Sequence, residues 1–553
     1  MRSRSLLIRA ASAVARPRLT RAALSVRLAF WAFVGVELVA FVLWLSLGRT
    51  EWFHGDDWQF LAGRTAFSAH DLLTDHNTHW STIPLLVFRL LWWMFGLRSY
   101  APYIAVVIAL HLTAAALLRV VMRRANVNAW IATAAASTFA FFGAGYQNIV
   151  WAFQVGFVGS LVLGLAQLLL ADHDGPIGRR DWLGLAAGLA SLMSAGVGVA
   201  LVGATTLTVL IRRGWQVALF YGGILGGVYG LWWATIAAKT DHPGVRTQDV
   251  GVGDVIAFVR EGLQHAFGSL GQNPIVGFVL GALLVVGIPL AYANRGVSAF
   301  RHAAAPVSLG FAAIAFLMFS GYGRVGVLGT DVATSSRYQH VIVALLLPAL
   351  AVALDGFSRL WRPLTPILCC VLVLGIPGNV EVLADYTRAR ERMHRDYRRF
   401  IGSIPRTEYA SQVPPTVRPD THHGDHAEIT VGWLLAGANS GRIPNPGHVT
   451  PDKAATIRFH LSLLQQSDEP LVRSDCQVIT GPIEWQFEEG ESIAFESDGI
   501  LSVTPVPGAV SPAVAMGFRS ENGSRLVAVL GPLEVILRPV NPFLPMSVCD
   551  VKE

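Results

Sequence analysis

The stretch LAFWAFVGVELVAFVLWLSLG, residues 28–48, holds a single charged residue, Glu37. At about 1.5 Å per residue a helix of that length covers about 30 Å, the thickness of a hydrocarbon core. It is too long for the apolar segment of a signal peptide and has no small-residue cleavage pattern after it, so it reads as an uncleaved span. Apolar blocks of similar length recur along the chain. With 53% hydrophobic and 14% charged residues in 553, and a mean hydropathy of +0.47, the protein is predicted to be a multi-spanning helical membrane protein.

Basic residues set the expected orientation. Residues 1–27 carry seven Arg and no acid, which puts the N-terminus in the cytoplasm. RVVMRR, GRRDW, IRRGW, ANRGVSAFR and SRLWR then fall where short cytoplasmic loops are expected. The predicted spans are 28–48, 101–121, 128–144, 150–171, 182–196, 198–212, 216–235, 273–292, 304–320, 339–355 and 363–379. Eleven spans put the C-terminus outside. If LMSAGVGVALVGA, between 182 and 212, were one kinked element, everything after it would flip and leave the later Arg clusters outside.

Three regions follow: a basic N-terminus (1–27), a transmembrane domain (28–380) with its first outer loop at 49–100, and a C-terminal extracytoplasmic domain (381–553). In the last, a charged helical stretch, EVLADYTRARERMHRDYRRF, precedes alternating segments such as ESIAFESDGILSVTPV and SRLVAVLGPLEVILRPV. A mixed α/β or mainly β domain is expected. Cys476 and Cys549 both lie there and suit either one disulfide in an oxidising compartment or two separate thiols. Three Lys against forty Arg is the skew of a high-GC bacterial genome, so the expected location is the plasma (inner) membrane of a bacterium. The net charge of +6 follows from cytoplasmic Arg and calls for no nucleic acid.

The first outer loop opens with EWFHGDDWQFLAGR, residues 51–64. Two adjacent carboxylates repel, and an apolar surface raises the pKa of the less solvated one, which suits a general base. The same pair, Asp56 and Asp57, also suits the N-cap of a helix starting at Trp58. His76 and His79, in DHNTHW, have the i, i+3 spacing of a metal or acid–base pair, or pack under Trp80. The apolar stretch after Pro84, broken by Arg89 and carrying Trp92 and Trp93, is predicted to lie in the membrane interface.

A second cluster lies in GYGRVGVLGTDVATSSRYQHVIVALLLPAL, 321–350. Its first half reads as a glycine-rich outer loop, with Arg337, Tyr338 and His340 at the mouth of the next span. A guanidinium there suits a lipid phosphate, because its contacts are bidentate and its charge permanent. It equally suits a snorkelling anchor. Arg324 is a second candidate for the phosphate.

Together these features resemble the GT-C superfamily of polytopic glycosyltransferases, which includes protein O-mannosyltransferases, aminoarabinose transferases and arabinosyltransferases. Asp56–Asp57 matches its acidic motif in the first outer loop, 83–97 its interfacial helix, and Ser336–Arg337–Tyr338 its late Arg-Tyr motif. The resemblance implies sugar transfer, with inversion, from a polyprenyl-phosphate sugar donor to a cell-envelope glycan, lipid or protein acceptor at the outer face. Asp56 would be the base and Asp57 its partner or a metal contact. Arg337 and Tyr338 would hold the leaving phosphate. The residues by themselves name no cofactor; the resemblance implies a divalent cation, Mg2+ or Mn2+, near Asp57, His76, His79 or Asp75. The chain departs from many relatives in having Asp-Asp rather than Asp-Glu.

Two other readings compete. A transporter or flippase would place ionisable groups near mid-membrane, and Glu37 and His111 are the available pair, also able simply to fix packing. An O-antigen ligase or polymerase would rely on a large late loop. The histidines of RPDTHHGDHAE, His422, His423 and His426, suit a solvated loop or a metal site.

Overall fold

The computed structural model describes residues 21–240, 250–419, 428–466, 472–496, 499–506, 515–519 and 524–552. Most of the basic N-terminus and the His422, His423 and His426 group lie outside the described residues. Eight helical segments among those described are long and apolar enough to cross a membrane: Ala23–Thr50, Ala101–Arg124, Ala152–Ala171, Trp215–Lys239, Pro274–Ala293, Ala304–Leu328, Ser336–Leu360 and Leu364–Arg406. This is an integral membrane protein with an all-α membrane domain and a β-rich C-terminal part.

The other three predicted spans are helices too, but shorter: Ala129–Ala140, Arg179–Leu192 and Val197–Arg213, of 12, 14 and 17 residues. They reach about 18–26 Å, shorter than a straight crossing, yet Arg179–Leu192 and Val197–Arg213 run from the end where Arg180 and Arg213 gather to the first outer loop, where Met193 accepts Ile83 N–H and Gly196 lies beside His79. LMSAGVGVALVGA does break between two helices, with Met193 closing one and Gly196 preceding the next. The basic clusters gather at one end of the bundle. Arg180 donates to the Leu169 carbonyl at 2.8 Å, Arg301 to the Arg212 carbonyl at 2.8 Å, and Arg359 to the Asn126 carbonyl at 2.9 Å. Arg124 reaches the same Leu169 carbonyl, and Arg213 pairs with buried Asp181.

Helix Ser336–Leu360 is the hub. Nearly every residue from Tyr338 to Gly356 is buried, because it packs against helices Ala101–Arg124, Ala129–Ala140, Val252–Gly271, Pro274–His302 and Ala304–Leu328. The first span instead leaves Leu38 and Val42 exposed, as a lipid-facing helix does. Two elements differ from expectation. The glycine-rich stretch after Gly321 is helical to Leu328, so the outer loop is confined to a short turn around 329–335. Helix Val252–Gly271 was not anticipated, although Phe258, Gly262, Ala266 and Leu270 form the buried stripe of an amphipathic helix.

The interfacial helix is Thr82–Phe95. Trp93 points out, 69% exposed, while Leu85, Phe88 and Leu91 are buried and Trp92 stacks on Trp433 at 4.9 Å. Arg89, on this helix, donates to the Leu61 carbonyl at 2.6 Å and so clips it to the acidic loop.

Helix Ile376–Ser403 runs unbroken across the expected domain boundary at 380. Ile404, Val431, Leu434 and Leu461 then pack into the same core as Phe53, Trp58 and Trp92. The change of composition at 380 therefore marks where a helix leaves the apolar layer; the new domain starts near Leu463. From there two antiparallel sheets, of four and five strands, enclose a separate core of Phe487, Phe495, Leu501, Leu526, Val535 and Val548. Strand Leu533–Pro539 alternates buried and half-exposed or exposed side chains, the period of a sheet with one covered face. Cys476 and Cys549 form a disulfide between adjacent strands Val472–Ile479 and Met546–Lys552. Cys369 and Cys370 are free. Reducing the disulfide is expected to lower the stability of the sandwich by about 2–4 kcal/mol, measured as faster limited proteolysis of 463–552 with dithiothreitol than without.

Candidate active site

The turn after the first span separates the two aspartates. Asp57 N–H donates to the His54 carbonyl at 3.3 Å and Trp58 N–H to the Gly55 carbonyl at 3.2 Å. Gly55 has φ +55°, and a Cβ there would lie 3.2 Å from the Trp151 ring, so the left-handed turn favours glycine. Its effect is that successive carboxylates differ in burial, Asp57 enclosed and Asp56 part-exposed.

Asp57 is fully buried. One of its oxygens accepts the Tyr100 hydroxyl at 2.8 Å and the His54 N–H at 3.1 Å, and the Tyr100 oxygen itself accepts Ala152 N–H at 2.8 Å. Burial pushes the Asp57 carboxyl up to about 8, against the hydrogen bonds from Tyr100 and His54 that lower it. Asp56 keeps 33% of its side chain exposed, with Oδ1 3.4 Å from Nε2 of buried His76. Phe60 and Phe153 flank that imidazole, and the Asn77 amide lies 3.0 Å from the same Nε2. Of the two, Asp56 is the carboxylate a substrate can reach.

His76 and His79 sit on a short hairpin, Asp75–His76 paired with His79–Trp80. Asp75 accepts Thr78 N–H at 3.0 Å, and Arg64 donates to the Thr74 and Asp75 carbonyls at 2.9 and 2.5 Å. His79, paired opposite His76, lies edge-on to Phe157. Among the described residues Asp57, His76 and His79 are not gathered as a metal group. Asp57 is withdrawn from that role by burial against Tyr100.

Residues 143–157 join the loop to the late cluster. Gln147 N–H donates to Ser336 Oγ at 3.0 Å, the Asn148 amide to the Arg337 carbonyl at 3.0 Å, and Trp151 Nε1 to the His54 carbonyl at 3.3 Å. The signal for this bridge was present in the sequence, as polar YQN interrupting two apolar blocks, but it reads there only as a break between spans. Asn148 and Trp151 were missed for that reason, and Tyr100 because its role rests on a contact with Asp57, 43 residues away.

Arg337 lies over the Tyr338 ring at 5.6 Å, and its Nε is buried with no hydrogen-bond partner among the described residues. Tyr338 is itself buried and lines a cavity of about 420 Å³ with His79, Phe157, Tyr229, Phe316 and Arg324. Arg324 donates to the Asn77 carbonyl at 3.3 Å, which ties the cavity mouth to the His76 hairpin. The result is an apolar slot between helices lined by one guanidinium, Arg324, and one histidine, His79. An amphiphile with an anionic head fits that shape.

His340 does not belong to this rim. It is fully buried, with Nε2 2.8 Å from His111 Nδ1 and the ring against Phe139. His111 in turn lies 3.1 Å from the Ala140 carbonyl, so its buried partner is His340 rather than Glu37. Three residues along a helix from Arg337 is nearly one turn deeper into the bundle, and there the neighbours are side chains of other helices.

No protein-family model matches the chain, and no curated protein matches it. Among solved structures it is similar to the crystal structure of ArnT from Cupriavidus metallidurans in the apo state, at 16% identity and a TM-score of 0.44, over 73% of this chain and 84% of that one.

The Asp57 environment predicts a pH dependence. A carboxyl whose folded pKa is about 8 and whose unfolded pKa is about 3.9 keeps its proton in the folded state across that interval. The folded state then binds more protons than the unfolded one, so stability falls as pH rises from about 4 to 8. Asp57→Asn, which keeps the accepting oxygen and carries no charge, is expected to flatten that slope in thermal melts across this range; an unchanged slope would mean that Asp57 is ionised when folded.

Proposed function

We propose that this protein is a GT-C-type glycosyltransferase of a bacterial plasma membrane, moving a sugar from a polyprenyl-phosphate donor to a cell-envelope acceptor on the outer face. The observation that carries this reading is the union of one accessible carboxylate, Asp56, with an apolar inter-helix cavity rimmed by Arg324 and Tyr338. Asp56 takes the proton of the acceptor hydroxyl, whose oxygen attacks the anomeric carbon, and the lipid phosphate leaves from the opposite face with inversion. His76 orients Asp56. Arg337 and Arg324 stabilise the departing phosphate, where low dielectric strengthens each contact. Tyr338 supports Arg337 through its ring face. The prenyl chain occupies the cavity between Phe157, Tyr229 and Phe316. Asp57 serves as the buried support of the turn, hydrogen-bonded to Tyr100.

This reading keeps the N-terminus in the cytoplasm and the Asp56 loop and β-sandwich outside, opposite to the end where the Arg clusters gather. The transporter alternative rested on Glu37 and His111 as a pair, and His111 is bonded elsewhere. The test is transfer from a panel of labelled polyprenyl-phosphate sugars by membranes containing the full chain. Label moving from one donor to envelope material supports the reading; no transfer from any donor, with the protein folded in the membrane, overturns it.

A further inference from the structure

We propose that Glu51, His54 and His394 form a binding site for one zinc-type divalent cation, at the junction between the end of the first span and helix Ile376–Ser403. The inference does not rest on the transfer reaction. Each residue offers one ligand atom, and the three atoms lie within 4.8 Å of one another. Glu51 Oε2 and His394 Nδ1 are 3.3 Å apart. That is the spacing of two ligands each about 2.0–2.1 Å from a tetrahedral ion.

The second observation is the state of Glu51. Its side chain is 1% exposed, and both carboxylate oxygens are buried with no hydrogen-bond donor among the described residues. A buried carboxylate in that condition is stabilised either by a proton or by a cation, and the two imidazoles beside it suit a cation. His54 is already oriented for the task. Its Nδ1 lies 2.8 Å from the Trp52 carbonyl and donates to it, which makes Nε2 the ligand atom, the usual arrangement when a second partner fixes a metal-binding imidazole. Stacking on Trp151, at 5.1 Å and 20°, holds the ring in place.

Arg390 is the competing cation. Its Nε is 3.7 Å from Glu51 Oε2, and Nη2 is 3.0 Å from His394 Nε2. With 25% of its side chain exposed, it can swing outward when the ion enters. Trp52 N–H, 3.1 Å from His394 Nδ1, must also release that lone pair. Two imidazoles and one carboxylate select zinc over magnesium or calcium, which prefer all-oxygen sets. An ion here pins the loop that carries Asp56 to a helix more than 330 residues further along.

The test uses the full-length protein in detergent, stripped with chelator and then titrated with ZnCl2, with MgCl2 as control. Expected results are one zinc per chain by elemental analysis and a rise in melting temperature with zinc alone. Glu51→Gln and His54→Ala, the latter at a half-buried ring, are each expected to weaken zinc binding by more than the about 10–100-fold that loss of a supporting partner costs. Arg390→Ala is expected to tighten it. Absence of stoichiometric zinc in wild type and in Arg390→Ala overturns the proposal and makes Arg390 the permanent partner of Glu51. Equal zinc binding by wild type and the ligand variants overturns it as well.

Discussion

Replacing Asp56 by Asn is expected to lower sugar transfer by about 10²–10⁴-fold, the contribution of a positioned general base, with no change in melting temperature. The side chain is one-third exposed and lies 3.4 Å from His76 Nε2, so Asn occupies the same space. What it removes is the ability to accept a proton. Asp57→Asn should behave in the opposite way. Asp57 holds its proton at neutral pH, its carboxyl being pushed up to about 8 by burial, and Asn reproduces that neutral form beside Tyr100. Transfer is expected to stay within an order of magnitude of wild type while the pH dependence of stability changes. If Asp56→Asn is active and Asp57→Asn is dead at matched expression, the roles of the two carboxylates are reversed.

Arg337→Ala is expected to lower turnover by about 10²–10³-fold, the usual loss when one preorganised group that stabilises a developing anion is removed. The loss should fall mainly on kcat, because negative charge on the leaving phosphate grows as the glycosidic bond breaks. Arg337→Lys should recover only part of it, since an ammonium offers a point charge without the planar fork. His340→Ala provides the contrast. With its ring enclosed by His111 and Phe139, its removal leaves a cavity and an unpaired imidazole, and the expected result is a lower melting temperature. Kinetic constants for labelled donor, measured on the three variants beside their melting curves, separate the two classes. Full turnover by Arg337→Ala would remove the phosphate assignment.

The positions of the long helices were legible in the residues because partitioning into lipid is a sum over neighbours in the chain. An 18-residue window carries the whole signal. The short apolar helix Thr82–Phe95 was legible for the same reason, Arg89 and the Trp pair marking a segment distinct from the long spans. The convergence of RVVMRR, GRRDW, IRRGW and SRLWR at one end of the bundle was also implied, since each follows or precedes a span of the right parity. Helices of 12–17 residues lay at the edge of this reasoning: their composition resembles that of a span, and only the folded chain shows how short each one is.

The site divides differently. The residue types of the proposed site, two adjacent carboxylates and a late Arg-Tyr pair, were visible in the sequence, as were His76 and Arg324. Which carboxylate is open to substrate was decided by a turn at Gly55 and by Tyr100, 43 residues away. Whether His340 shares the rim with Arg337 was decided by its depth against Phe139. The bridge at 143–157, the start of the sandwich at Leu463, and the meeting of Glu51 and His54 with His394 depend on contacts between segments up to hundreds of residues apart. Hydropathy and motif spacing are local properties and survive in one dimension. Burial, and with it the protonation of Asp57 and the pairing of Glu51, is set by whatever the folded chain brings alongside, and that exists only once the helices have packed.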